Sequence, residues 1–227
     1  MHDLVERWQR TQEAIATAAI RAGRSPHEVR LVAVSKRHSV SAIAALYNAG
    51  QRIFGENYVQ EARAKMAALP SSLEWHLVGR LQTNKVRLAV GRFALLHGVD
   101  SLRLAQALQN QAQNQEIVQP VLVQVNLGRE AQKGGVFEED ALALAEWITG
   151  ASHLDLRGLM VLPPGDGDPQ ASRPYFIALR KLRDRLESQL GQRLPELSMG
   201  MSGDFEVAVA EGATLVRIGT RIFGERN

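Results

Sequence analysis

Apolar residues in this chain fall into short unbroken runs, separated by longer stretches in which they recur every three or four positions. Leu31-Val32-Ala33-Val34 lacks polar alternation, which predicts a strand buried on both faces, and the run ends on Ser35-Lys36. Similar runs predict strands at 52–54, 74–78, 93–97, 120–126, 156–160, 196–199 and 214–218. Helical spacing fills the intervals. Leu4, Trp8, Ile15 and Ala19 mark a helix over 3–22, and Ile43, Leu46 and Tyr47 mark one over 41–49 that stops at Gly50. Further helices are predicted at 58–68, after Lys85, at 101–113 and 137–149, along the stripe Tyr175, Leu179, Leu182, Leu186 and Leu190, and at 204–211. Ser25-Pro26-His27-Glu28 has the cap, first-turn proline and third-position glutamate of a short helical turn.

Eight strands alternating with helices predict a (β/α)₈ TIM barrel with an extra N-terminal helix, as a single domain over residues 1–227. An open doubly wound sheet is the competing α/β architecture. It would carry a glycine-rich turn after the first strand, where this chain has Ser35-Lys36-Arg37-His38. The break Leu162-Pro163-Pro164-Gly165-Asp166-Gly167-Asp168-Pro169 reads as a surface connection after the sixth strand.

Composition narrows the chemistry. The chain has 227 residues, 45% hydrophobic, with a formal net charge of only +3 and basic residues interleaved with acidic ones, which argues against nucleic acid as partner. It contains no cysteine, which excludes thiol catalysis and thiolate metal sites. The histidines show no pair at ligand spacing beside a carboxylate, so no metal is expected. Neither a signal-peptide pattern nor a membrane-length apolar run occurs, so a cytoplasmic protein is expected.

The C-terminal ends of barrel strands carry the chemistry, so the residues there form the candidate site. They are Lys36, Asn57, His76 with Gly79, Asn126, Met160, Met199 to Ser202, and Arg217 to Thr220. A lysine held against apolar walls has an accessible amine form and becomes nucleophilic; the plain alternative is a lysine leaving its strand for solvent. Met199-Gly200-Met201-Ser202-Gly203 and Gly219-Thr220 are small turns that each open a helix, and so offer N–H groups to an anion. Asp204 stands against that reading unless its carboxylate is turned away. A lysine facing a phosphate cradle suits an aldehyde that bears a phosphate, and pyridoxal 5′-phosphate (PLP) has both handles. Arg217 lies one residue from the cradle and could donate to the pyridine nitrogen. His76, Met199 and Met201 are weaker candidates, with core packing as the alternative.

Six blocks together resemble a known family. They are Val34-Ser35-Lys36, Phe54-Gly55-Glu56-Asn57-Tyr58, Trp75 to Lys85, Arg157-Gly158-Leu159-Met160, Leu197 to Ser202, and Val216 to Gly224. In order and across nearly the whole chain they are similar to the pyridoxal phosphate homeostasis proteins. The resemblance implies a barrel of the alanine racemase N-terminal type, a fold type III PLP protein without the C-terminal β-domain. It also implies Lys36 as the Schiff-base lysine, Asn57 and Arg217 around the ring, and Ser202, Gly219 and Thr220 around the phosphate. Family members are regarded as carriers or regulators of vitamin B6 and amino-acid pools without an established catalytic reaction. Arg80 and Gly203 depart from the usual pattern and touch no residue assigned to the cofactor.

The chain stops at Asn227 just after the last expected barrel helix, so no second domain is expected to complete an enzyme site. A reversible PLP binder, monomeric and passing cofactor to apo-enzymes, is the favoured reading. A weak racemase-like enzyme is the alternative, and a Schiff-base aldolase on a sugar phosphate is a third. The aldolase would use the same lysine but needs no arginine at a ring nitrogen.

Overall fold

The computed structural model describes residues 2–130, 132–165 and 168–224. Asp166, Gly167 and the chain end at Asn227, which belong to the expected connection and domain span, lie outside the described residues. The strands are β1 (Arg30–Val34), β2 (Ile53–Glu56), β3 (Glu74–Leu77), β4 (Leu95–Val99), β5 (Gln119–Val125), β6 (Leu154–Val161), β7 (Glu196–Ser198) and β8 (Leu215–Ile218). They close in sequence order into a parallel barrel in which β8 returns to β1. The helices are α1 (His2–Arg21), α2 (Val40–Ala49), α3 (Val59–Ala68), α4 (Val86–Ala89), α5 (Leu102–Asn114), α6 (Ala141–Thr149), α7 (Arg173–Leu190), α8 (Phe205–Ala210) and α9 (Thr220–Phe223). Among the described residues no helix is long and apolar enough to cross a membrane.

Local chemistry sets many of these boundaries. The hydroxyls of Ser39 and Ser101 cap α2 and α5, and the left-handed Gly50 and Gly191 stop α2 and α7. Ser25 and Glu28 form the predicted capping box around one 3₁₀ turn. The fourth strand lies two residues later than the apolar run 93–97 suggests. A turn through Gly91 intervenes, and Phe93 packs in the layer between barrel and helices as a loop residue. The helix expected from 137 begins as a 3₁₀ turn over Glu138–Asp140 and becomes α-helical only at Ala141.

Side chains alternate between two cores. Leu31, Ala33, Phe54, Leu77, Leu96 and Val123 join the large cluster between barrel and helices, while Val32, Val78, Leu95, Leu122, Met160 and Leu215 fill the barrel interior. With only four residues, α9 is too short to cover the outside of the last strand pair. Helix α1 supplies the missing cover. It packs on α2, α8 and α9, with Trp8 Nε1 donating to Gln51 Oε1 at 2.8 Å and Arg7 Nε to the Ile222 carbonyl at 2.8 Å.

The outer face of the barrel also holds the loop after β1. Lys65 of α3 is buried, and its ammonium donates to Glu56 Oε1, Glu61 Oε1 and the Ser35 carbonyl, each at 2.7 Å. Ser35 Oγ donates to the same Glu56 oxygen at 2.6 Å, and the Arg37 N–H donates to Glu61. Both neighbours of Lys36 are therefore tied to one ionic cluster. Burial raises the Glu56 carboxyl above its ordinary value despite the hydrogen bonds from Lys65 and Ser35, and Glu56 Oε2 has no hydrogen-bond partner. Burial would raise Glu61 too, but the hydrogen bonds from Lys65 and the Arg37 N–H outweigh it and hold Glu61 low.

Two stability predictions arise from this frame. Gly158 has φ +151°, and a Cβ there would sit 1.9 Å from the Glu196 carbonyl oxygen of β7. Gly158→Ala should therefore lose more than about 3 kcal/mol in urea unfolding, if it folds at all, through strain and a backbone clash that nothing can relieve. Lys65→Met leaves the Glu56 carboxylate buried without its counter-charge and should cost about 3–5 kcal/mol at neutral pH. A carboxyl whose folded pKa is raised binds its proton more tightly folded than unfolded. The penalty is therefore present above that pKa and shrinks as pH falls through it. Urea melts at pH 7 and pH 5 should show the gap from wild type narrowing, and Glu56→Gln should cost less than Lys65→Met at pH 7.

Candidate functional site

At the C-terminal end of the barrel lies a cavity of about 620 Å³, larger than a cleft of about 470 Å³ elsewhere on the surface and one of about 450 Å³ that adjoins it at Ser202 and Gly203. Its volume falls in the range of small-molecule sites. Lys36, Asn57, Met201, Ser202, Arg217, Gly219 and Thr220 all line it, so the structure brings these sequence-predicted residues to one place. Alternation along β1 explains Lys36. Val32 and Val34 face the interior and Ser35 faces α3, so the side chain of Lys36 returns to the inside, where it is half-buried and lines the cavity with Val34 and Val78.

Asn57 follows β2 directly, and Gly79 after β3 approaches its backbone so closely that a Cβ would stand 2.5 Å from the Asn57 carbonyl oxygen. Gly219 plays a similar part beside β1, where a Cβ would meet the Val34 carbonyl oxygen at 3.2 Å. These two glycines let the loops after β3 and β8 settle onto the rim. Ser202 Oγ accepts the Arg221 N–H at 3.4 Å, which joins the loop after β7 to the start of α9. In that turn the Ile222 and Phe223 N–H groups both donate to the Gly219 carbonyl at 2.9 Å. Asp204 does not oppose an anion here. Its carboxylate is buried and turned into its own loop, accepting from the Met201 N–H at 2.6 Å and Ser172 Oγ at 2.8 Å.

Arg217 pairs in register with Val32, which places its side chain inside the barrel, where it is only 4% exposed. Nη1 donates to Ser198 Oγ at 2.6 Å and Nη2 to the Val161 carbonyl at 2.9 Å, both neutral acceptors. Among the described residues no carboxylate lies within ion-pair distance of it. Burial lowers its pKa to about 10, opposed by the charge of Asp204, so the guanidinium stays protonated at neutral pH. The described lining of the cavity contains Lys36, Arg217 and a Lys133 paired with Glu130, and no carboxylate, which suits an anionic ligand.

The remaining candidates sit elsewhere. His76 is 1% exposed inside the barrel, with both ring nitrogens hydrogen-bonded, and does not line the cavity. Met199 is fully buried in the outer core, and Met160 is packed in the inner one. Asn126 is spent on its own loop, where Nδ2 donates to the Glu130 and Lys133 carbonyls. Of the two departures from the family pattern, Arg80 is exposed beside Asp100 and Gly203 is exposed at the cavity edge.

Lys133 and His38 line the cavity and were not foreseen. Lys133 arrives because the loop after β5 doubles back, with Val136 bridging Val125 and Gln124 Nε2 donating to the Gly134 carbonyl at 2.6 Å. The pair Gly134-Gly135 was the signal for such a turn. His38 stacks on Phe223, ring centroids 4.4 Å apart, a contact between the two ends of the chain that local pattern cannot show.

Comparison with known proteins agrees with this geometry. Residues 12–227 match the family described as "Alanine racemase, N-terminal domain". The pyridoxal phosphate homeostasis protein of Aquifex aeolicus is 47% identical over 222 residues, covering 97% of each chain. PipY of Synechococcus elongatus, solved with PLP bound, has a TM-score of 0.83 at 40% identity, over 97% of this chain and 100% of that one. The same protein solved without PLP gives a TM-score of 0.85 at 42% identity, over 94% and 99% of the two chains. The chain belongs to the alanine racemase N-terminal domain family and, within it, to the pyridoxal phosphate homeostasis proteins.

Proposed function

We propose that the cavity binds PLP and that this protein holds the cofactor reversibly, as a single barrel domain acting in vitamin B6 and amino-acid homeostasis. Lys36 Nζ is the point of covalent attachment. Asn57 and Arg217 face the ring, Ser202, Gly219 and Thr220 face the phosphate, and Met201 closes the rim. His76 and Met199 are given no contact. One observation carries this reading: a lysine shares a cavity free of described carboxylates with a buried guanidinium whose partners are both neutral. When bound, PLP supplies an aldehyde that condenses reversibly with amines and a ring that withdraws electrons.

The relatives are named for homeostasis, which supports holding over turnover. A racemase needs a second proton-carrying group besides the lysine. Lys133 is poorly placed for that duty, because its ammonium donates to the Pro163 carbonyl at 2.8 Å and pairs with Glu130. In the proposed role the monomer delivers PLP to apo-enzymes in the cytoplasm.

Purified protein should be yellow, and borohydride should fix one pyridoxyl-phosphate mass on the peptide containing Lys36. Protein that takes up no PLP overturns the reading. In deuterated water the loaded protein should cause no sustained loss of the α-hydrogen from added amino acids; exchange that disappears in Lys36→Ala would establish the racemase-like alternative. The double variant Ser202→Ala with Thr220→Ala should weaken PLP retention by more than about 1 kcal/mol, read by equilibrium dialysis, because charge-assisted hydrogen bonds are lost. Undiminished retention would remove the phosphate assignment.

A further inference from the structure

The interior of the barrel contains a line of side-chain hydrogen bonds running from the cavity to the opposite end of the strands. It starts at Arg217 on β8, whose Nη1 meets Ser198 Oγ on β7 at 2.6 Å. Ser198 Oγ lies 2.8 Å from His97 Nδ1 on β4. His97 Nε2 lies 3.0 Å from His76 Nδ1 on β3, and His76 Nε2 lies 2.8 Å from Glu74 Oε1 at the start of the same strand. The three middle members are buried, while the Glu74 side chain is 41% exposed.

With both imidazoles neutral, the chemistry of the two ends gives every link one direction. A guanidinium only donates, so Ser198 Oγ accepts from Arg217, and its own proton goes to His97 Nδ1. His97 Nδ1 is then bare and its proton sits on Nε2, which donates to His76 Nδ1. His76 in turn carries its proton on Nε2 and donates to Glu74, which as a carboxylate can only accept. Each donor has one acceptor and each acceptor one donor. The opposite arrangement, with a proton on His97 Nδ1, leaves the Ser198 proton without a partner in the line and requires His76 to carry a proton on both nitrogens.

We propose that Ser198, His97, His76 and Glu74 are positioning residues for Arg217. In this one-way hydrogen-bond chain, anchored on the Glu74 carboxylate, both imidazoles are neutral Nε2–H tautomers and the guanidinium is fixed for the ligand. That the ligand is PLP rests on the functional reading above; the chain itself does not. Burial pushes His97 well below its ordinary value, which accords with a neutral imidazole there, and the hydrogen bond from His76 holds Glu74 low, which accords with a carboxylate at the end of the line. The other charge facing this end is Arg30, which pairs with Glu196 of β7, itself accepting from Thr214 Oγ.

The test uses side-chain ¹⁵N–¹H correlation spectra of the histidines in ligand-free protein at pH 7. His76 and His97 are expected as neutral Nε2–H tautomers, and Glu74→Ala is expected to mix the tautomers of His76 while the protein stays folded. A His97 proton on Nδ1, or a doubly protonated His76, overturns the proposal. In PLP-loaded protein, Ser198→Ala should release cofactor roughly tenfold faster and shift the absorption band, because Arg217 loses its inner acceptor, and Ser198→Thr should restore both. Unchanged release and spectrum in Ser198→Ala overturn the positioning role. If Ser198→Ala does not fold, the wild-type tautomers and their response to Glu74→Ala decide the matter. If wild-type protein takes up no PLP, the functional reading fails instead, and the same ligand-free spectra still decide the chain.

Discussion

A permanently charged guanidinium inside a closed barrel is the constraint to which the rest of the site answers. Taking an ionised group out of water without a counter-charge costs several kcal/mol, and proteins usually meet that cost with a carboxylate. Arg217 is met instead by a hydroxyl and a backbone carbonyl. Its charge is thereby hydrogen-bonded without being cancelled. The strand carrying it ends one residue later, at Ile218, and the cavity opens above. An unneutralised cation at the floor of a cavity whose described lining has no carboxylate is a field directed at an anion.

Stability and site chemistry are carried by opposite faces of the same strands. Outward residues such as Leu31, Ala33 and Phe54 join the continuous core beneath the helices. Inward residues divide into an apolar group around Val32, Leu122 and Leu215 and a hydrogen-bonded polar group of Ser198, His97 and His76. The loop that bears Lys36 draws on both faces. Its neighbours are gripped from outside by Lys65, Glu56 and Glu61, so the position of the lysine is set by an ionic cluster that never reaches the cavity. Changes in that cluster would act on the site only through the backbone of Ser35 and Arg37.

How much of this could be read from sequence follows from the range of each interaction. Strand and helix order came from local periodicity, and the closed barrel was legible because parallel β/α alternation leaves few ways to bury every strand. Lys36, Arg217, Ser202 and Thr220 were legible because each lies within three residues of a strand end or a helix start, where position in the chain fixes position in the barrel. The boundary of β4 was missed because Phe93 is apolar for packing outside the barrel rather than for pairing within it. Lys133 was missed because a long loop folds back on its own strand, and Lys65 because a lysine on a helix reads as a surface residue. Asp204 was read as an obstacle to anion binding; only its three-dimensional partners, the Met201 N–H and Ser172, show a carboxylate spent on shaping the loop.

In the proposed role, the residue at the end of β8 also bears on how a bound cofactor would behave. An aspartate or glutamate facing a pyridine nitrogen would share a proton with it and favour the cationic ring, a strong electron sink. Arg217 has only donors and stays protonated, so a nitrogen facing it accepts a hydrogen bond and remains neutral. In its proposed direction the inner chain reinforces that outcome, because Ser198 accepts from Arg217 and directs its own proton to His97. In the proposed role, the charge that helps retain the ligand thus also keeps its ring from withdrawing electrons strongly. Retention with little activation is what a reversible carrier requires.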